Sequence, residues 1–383
     1  MLKLKIGIHC GAFLTLAVVL ASCSNAEKLS GPVISITIPV DGFKVEVGKS
    51  LPLNPTVAND EKSSYSWEVN GEVVSSSKLY TFVPSKIGNY NVSLKVSNEI
   101  GSDLKTIQVS AFSNLSPYIS KVFDYKYGPG QHASLIPSDW KANDFMGQPW
   151  TANKTYTSLG GWGGYVIAGF DHTILNGSGP DLAVFTQPGP SSEPAVVYVM
   201  NDTNNNGLPD DGEWAEIKGS EYNHPETIHG YQVTYYKPTA NGNVTWKDNK
   251  GKTGTLIPVF GSSSWWWGGY GNQTEVVFDG VRLPDAYENI STHADTENWV
   301  VRSALFSFGY AECYNNLDYN TSLKANLFDI SNAVDNAGNK VTLTGIRFIK
   351  VQSSVFQVAG WLNEVSTEVS GAADLSLIEY SAN

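Results

Sequence analysis

The sequence predicts an all-β protein, an immunoglobulin-like sandwich followed by a larger jelly-roll-like β-sandwich, and three observations carry the prediction. Its strongest apolar segments alternate with period two, as half-buried strands do. Glycine, at 36, and proline, at 18, are too frequent for a helix bundle but ordinary for a chain with many turns. No run of comparable length shows the helical period. A hydrophobic fraction of 41% against 16% charged residues excludes a disordered chain and leaves ample material for packed cores. The formal net charge of −12 argues against a nonspecific nucleic-acid binder, which needs a basic face.

Residues 1–22 read as an address. Lys3 and Lys5 supply a positive start, and an apolar run from Ala12 to Leu20 follows, too short for a comfortable membrane span. The run ends in Leu20-Ala21-Ser22-Cys23. Small residues before a cysteine resemble the lipobox of bacterial lipoproteins. That resemblance implies acylation at Cys23, a membrane partner through the lipid, and an outer-membrane, cell-surface location. Residues 23–31 are polar and read as a tether. Of the three cysteines, Cys10 leaves with the signal and Cys23 carries lipid, so Cys313 has no intramolecular partner. Its two readings are a small buried hydrophobe and a nucleophile, and the first is the ordinary one.

Residues 32–112 form the first folded unit. Ile34–Ile38 alternates, and Tyr65–Val69 runs into Asn70-Gly71, the strongest short hairpin signal. Tyr90–Asn98 alternates again, with Gly101 beyond it. The Trp67…Asn70-Gly71 pair, Pro84…Gly88-Asn89-Tyr90-Asn91-Val92 and Val96-Ser97-Asn98…Gly101 together resemble a PKD domain. The resemblance implies a core role for Trp67, turns at the Gly and Asn positions, and a spacer or weak binding module without catalysis.

Residues 116–383 form the second unit and hold ten of the eleven tryptophans. Strand-like runs occur at 196–200, 231–236, 274–283, 299–308 and 345–352, and a short helix is expected at Leu327–Val334 with Asp329 near its start. Gly160–Tyr165, Gly169-Phe170-Asp171-His172, Ser192-Glu193-Pro194, Asp202–Gly219 and Ala359–Val365 resemble an uncharacterised group of Bacteroidetes cell-surface lipoproteins. That resemblance implies ligand capture beside a TonB-dependent receptor. It leaves the ligand open between glycans and a cofactor such as cobalamin.

Asp202-Thr203-Asn204-Asn205-Asn206-Gly207-Leu208-Pro209-Asp210-Asp211-Gly212-Glu213 fits the calcium-loop pattern. Asp202, Asn204, Asn206, the Leu208 carbonyl, Asp210 and Glu213 offer the hard oxygens that Ca2+ takes, and Gly207 allows the turn. Strand-like flanks exclude a helix–loop–helix, so the ion's expected work is structural. The bland reading is a solvated hairpin loop. Gly261-Ser262-Ser263-Ser264-Trp265-Trp266-Trp267-Gly268-Gly269-Tyr270 has two readings as well. One is a loop displaying Trp265, Trp266, Trp267 and Tyr270 as a stacking platform, and the other is core filling. Trp162, between glycines, is a further ligand candidate, although its glycines equally serve close backbone approach.

Searches for catalytic signatures fail. The sequence has no H-E-x-x-H and no G-x-S-x-G, and Pro225 between His224 and His229 argues against a helical metal pair. The expected function is therefore non-enzymatic capture of a nutrient ligand for TonB-dependent uptake. The rivals are a calcium-dependent glycan hydrolase or lyase, which two adjacent buried carboxylates in one cleft would favour, and a structural or adhesion protein.

Overall fold

The computed structural model describes residues 30–131, 143–150, 156–186, 192–212, 214–239, 243–259, 265–293, 295–302, 304–314 and 317–381. Cys23 and Glu213 lie outside the described residues, and Trp265 is described in its backbone alone. The chain divides into two compact units. One draws on Met1–Thr37, Asn54–Tyr80 and Val92–Ile107, the other on Ile38–Leu53, Thr81–Asn91 and Gln108–Asn383.

In the first unit, Val33–Ser35 pairs antiparallel with Thr56–Ala58. Ser64–Val69 pairs with Glu72–Ser75 and with residues 92–97. Asn70 and Gly71 take positive φ, 51° and 90°, which joins Val69 to Glu72 through a two-residue turn. Trp67 is fully buried with Val92, Leu94 and Val96, and its indole N–H donates to the Ser77 carbonyl at 3.0 Å.

The second unit is layered. Its six-stranded sheet has the order Lys121–Lys126, Tyr165–Leu175, Gly345–Ser353, Ala195–Met200, Ala215–Ile217, Ala333–Val334. A five-stranded sheet runs Thr157–Ser158, Glu368–Asp374, Leu182–Thr186, Ala325–Phe328, Tyr319–Asn320. All these pairings are antiparallel. Val197, Val199, Ile349 and Val351 of the first sheet pack with Leu182, Val184, Phe328 and Val369 of the second in one buried cluster. That is a sandwich core, built from the inward residues of alternating strands. A four-stranded sheet, Thr253–Leu256, Val244–Asp248, Ile228–Tyr236, Glu275–Arg282, adds a layer with an aromatic core around Trp162, Tyr231 and Tyr235.

The chain is thus all-β, with sandwich-like layers. Two local expectations change. The helix expected at Leu327–Val334 is one 3-10 turn, Ile330–Asn332, following a strand; Asp329 caps it by accepting from Ser331 N–H at 2.7 Å. Apolar residues there serve the five-stranded sheet, so pairing displaces the helix. The run at 299–308 keeps only Trp299–Val301 as strand. Cys313 is buried, and burial pushes its thiol far up, which favours the bland reading of that residue.

Candidate functional site

Strand alternation decides what the six-stranded sheet shows on its outer face. Val197 and Val199 point into the core, so Tyr198 points away. Ile349 and Val351 point in, and Lys350 and Gln352 point out. Ala215 and Ile217 point in, and Glu216 points out. Register then sets Lys350 beside Tyr198, and Tyr198 beside Glu216, in one row across three strands.

This row floors a cleft of about 480 Å³. Its aromatic lining is Tyr198, Trp214 and Tyr222, and its polar groups include Glu216, His229, Asp279 and Lys350. The turn residues Asp335 and Asn336 close one side, and Gly280 and Val281 of the four-stranded sheet close another.

The electrostatics follow from burial. The Lys350 ammonium lies 5.1 Å from the ring centroids of both Tyr165 and Tyr198, a double cation–π contact. Burial pulls Lys350 down to about 8, against the pull of Asp279 and Asp124. Burial pushes Glu216 up to about 8. His229 Nδ1 is 3.9 Å from Glu216 Oε2, and its Nε2 lies 2.9 Å from the Tyr222 carbonyl, which can only accept, so Nε2 carries the proton. The Tyr222 and His229 rings are 4.4 Å apart.

Gln352 also lines the cleft. Its Nε2 donates to the Gly163 and Asp279 carbonyls at 2.8 and 2.9 Å. Its Oε1 is buried and has no hydrogen-bond partner among the described residues. Gly280 makes room for this amide: a Cβ there would sit 2.8 Å from Gln352 Oε1.

The aromatic residues singled out by sequence lie elsewhere. Trp266, Trp267 and Tyr270 are buried in the 3-10 helix Trp265–Tyr270, with Trp162 in the same core cluster. Trp267 donates to the Gln273 carbonyl at 2.7 Å, Tyr270 to the Tyr127 carbonyl, and Trp162 to the Val281 carbonyl at 3.2 Å. The helical turn sets Trp267 edge-to-face against Tyr270, 5.1 Å between centroids, and the cluster packs with the four-stranded sheet. These four side chains form an interior layer rather than an exposed platform. The glycines around Trp162 serve packing, since a Cβ on Gly164 would fall on the Leu159 carbonyl oxygen.

The Asp202 loop is closed by its own bonds. Asp202 accepts from the Asn206 and Gly207 N–H groups, each at 3.0 Å, and its Oδ2 pairs with Arg347 Nη1 at 2.6 Å. Asn204 and Asn206 both donate to the Asp210 carboxylate. Leu208 N–H donates to Asn206 Oδ1 at 2.7 Å, and Gly207 takes the positive φ, 74°, that the motif anticipates. Calcium here would share the Asp202 carboxylate with Arg347. Among the described residues, no group of three or more His, Cys, Asp or Glu side chains could hold a metal.

A second set of carboxylates lies away from the cleft, Glu312 buried and Glu193 half-buried. Glu193 Oε2 accepts from Ser366 N–H at 2.5 Å, and Glu312 Oε2 accepts from Glu368 N–H at 2.6 Å. Burial, with the charge of Glu368 added, pushes Glu193 and Glu312 well up. Both pin backbone that is distant in sequence.

Sequence reasoning missed the cleft residues. Their trace is a polar or tyrosine position inside an otherwise apolar strand, as in Val196–Met200 and Phe348–Gln352.

Residues 31–98 match the family model described as a PKD-like domain. No curated protein matches the chain. Among solved structures, the chain is similar to a quinonprotein alcohol dehydrogenase-like protein of Bacteroides thetaiotaomicron, at 11% identity, 71% of this chain, 72% of that one and a TM-score of 0.21. It is similar to fibronectin(III)-like modules of Clostridium thermocellum CbhA, at 14% identity, 58% and 90% coverage and a TM-score of 0.20. A third is the Bacteroides ovatus mixed-linkage glucan utilization locus SGBP-B, in complex with a mixed-linkage heptasaccharide, at 9% identity, 65% and 97% coverage and a TM-score of 0.21.

Proposed function

We propose that the protein is a non-enzymatic, lipid-anchored cell-surface protein that captures a glycan for TonB-dependent uptake, and that the cleft on the six-stranded sheet is where the glycan binds. One observation carries the reading: three aromatic side chains and a set of hydrogen-bonding groups converge in a single cleft built mainly on paired strands. A sugar presents an apolar C–H face and an equatorial ring of hydroxyls. Tyr198, Trp214 and Tyr222 suit the first. Glu216, Asp279 and Asn336 suit the second, and Gln352 Oε1 is an acceptor in want of a donor. That lining favours a hydroxyl-rich glycan over a corrinoid macrocycle. The anchor rests on the Leu20–Cys23 signature.

Calcium at Asp202, Asn204, Asn206, Leu208, Asp210 and Glu213 belongs to the proposal in a structural role. A glycan hydrolase or lyase is the second reading, favoured by the neighbouring carboxylates Glu193 and Glu312. Against it, each of these carboxylates holds a backbone N–H, and neither is among the residues lining the cleft.

The test is a carbohydrate array followed by calorimetry on the retained oligosaccharide. Trp214→Ala and Tyr222→Ala should each weaken binding about tenfold, equivalent to about 1.4 kcal/mol. Loss of array binding in no variant, or no retention of any glycan by the wild type, overturns the reading.

A further inference from the structure

Beyond Tyr222 the surface does not end. A second depression of about 410 Å³ begins there, lined by Lys218, Ser220, Asn223, Asn332, Gly338 and Lys340 among others. The two hollows share their elements. Glu216 and Lys218 are alternate residues of one segment, so they stand on the same face, with Ile217 in the core between them. The turn Asp335–Gly338 gives Asp335 and Asn336 to the first hollow and Gly338 to the second. Tyr222 is the partition. Its hydroxyl lies 2.9 Å from where a Cβ on Gly338 would stand, and the Lys218 ammonium lies 4.9 Å from its ring centroid.

The halves differ in charge. Glu216, Asp279 and Asp335 line the first, together with Lys350 and His229. Lys218 and Lys340 line the second, and no carboxylate lines it among the described residues. A groove with one mixed, aromatic half and one purely cationic half is matched by a chain of mixed charge.

We infer that the two hollows form one groove for an extended oligosaccharide, in which the half beyond Tyr222 takes an anionic sugar unit against Lys218 and Lys340. This rests on the glycan-binding reading above and specifies its ligand. The anionic group is a uronate carboxylate or a sulfate ester, which share the chemistry that a pair of ammonium groups recognises. Lysines attract it as point charges, so the preference is sensitive to salt. The rest of the chain runs over Tyr222 into the aromatic half.

The experiment uses the full chain on an array of neutral, uronate-bearing and sulfated oligosaccharides of about one to six units, with calorimetry on the best neutral and best anionic probe of equal length. Expected is at least tenfold tighter binding of the anionic chain, weakening as salt is raised, and little binding of single sugars. Lys218→Gln with Lys340→Gln should erase the anionic preference, bringing the anionic chain's affinity down to that of the neutral chain. Lys218→Arg with Lys340→Arg should restore it. The array arms tell uronate from sulfate, and either supports the groove. Equal affinity for neutral and anionic chains, or a preference that survives the double glutamine variant, overturns this inference while the glycan reading stands. Binding of no oligosaccharide by the wild type overturns both.

Discussion

Lys350 and Tyr198 are cross-strand partners in the six-stranded sheet, and the Lys350 ammonium sits 5.1 Å from the Tyr198 ring centroid. Among the described residues the charge is held at the cleft floor by two tyrosine rings and distant carboxylates rather than by a direct ion pair. Burial brings Lys350 down to about 8 from an ordinary value of 10.5. Between those values the unfolded chain binds more protons than the folded one, so stability rises with pH across the window and the full cost stands below pH 8. The slope is at most about 1.4 kcal/mol per pH unit. Lys350→Met keeps the stem and removes the charge. It should leave stability at pH 7 equal or higher, flatten the profile between pH 8 and 10, and weaken glycan binding. Chemical denaturation at several pH values, beside calorimetry, checks both arms; lower stability at pH 7 would contradict the burial cost.

Glu216 works in the opposite direction. Its carboxyl is pushed up to about 8 by burial, from an ordinary 4.5. The folded state therefore binds the extra proton between pH 4.5 and 8, and stability falls as pH rises through that window. Glu216→Gln copies the neutral form. The variant should match the wild type at pH 5 and exceed it at pH 8, with the gap growing by up to about 1.4 kcal/mol per pH unit. Parallel profiles for the two proteins would show that Glu216 is ionised in the fold.

Glu193 and Glu312 extend the same logic to the sandwich edge, where burial favours their neutral forms. Each holds a backbone N–H. Glu312→Gln keeps an acceptor for the Glu368 N–H and should be tolerated, stabilising the protein at alkaline pH. Glu312→Ala leaves that donor buried without its partner and should cost about 1–3 kcal/mol. If the pair instead performs glycan cleavage, reducing ends should accumulate with a retained oligosaccharide and vanish in Glu312→Gln. A reducing-sugar assay decides.

The strands were legible in the sequence because their cause is local. Period-two alternation at Tyr90–Asn98 reports a half-buried strand wherever it lies, and Asn70-Gly71 accepts positive φ without help from the fold. The cleft was not legible, because its cause is register. Nothing near Lys350 says that Tyr198 will stand beside it. Trp266 and Trp267 kept two readings open for the same reason: exposure is a property of the partner surface. Tyr127 and Tyr235, far away in sequence, make Trp266 and Trp267 core. The missed residues left one usable trace, a polar side chain in the middle of an apolar strand.

Asp202 separates two sources of order in its loop. Its carboxylate takes two backbone N–H groups and the Arg347 guanidinium. These bonds need no metal, so Asp202→Ala should lower the unfolding free energy by about 1–3 kcal/mol even in chelator. Calcium, if it binds the folded loop, adds RT ln(1 + [Ca]/Kd), about 2.7 kcal/mol at a hundredfold excess over Kd. Melting the wild type, Asp202→Ala and Glu213→Gln with and without chelator separates the two. A calcium-dependent rise in the wild type that both variants lose supports the ion site. An unchanged wild-type curve, with no metal by elemental analysis, removes it and leaves the Arg347 closure.

Gly163 ties the buried aromatic layer to the cleft. Its φ is 92°, its N–H donates to the Ser353 carbonyl at 2.9 Å, and its own carbonyl accepts from Gln352. A Cβ there would lie 2.5 Å from Phe278 Cβ. Alanine at this position meets two costs. The left-handed backbone costs about 1–3 kcal/mol for a residue with a side chain. Forcing a methyl against Phe278 costs about 1–3 kcal/mol more, because a packed core relaxes only partly. Gly179 supplies the control, with φ of 76° and nothing within 4 Å of its added Cβ, so that Gly179→Ala meets the backbone cost alone. Gly163→Ala should therefore be the more destabilised of the two by urea denaturation. It should also weaken glycan binding, since moving the Gly163 carbonyl releases the Gln352 amide that the cleft presents, whereas Gly179→Ala should bind as the wild type does. Equal destabilisation in the two variants would show that the Phe278 contact yields freely. Full glycan affinity in a folded Gly163→Ala protein would show that Gln352 is not held in place through this residue.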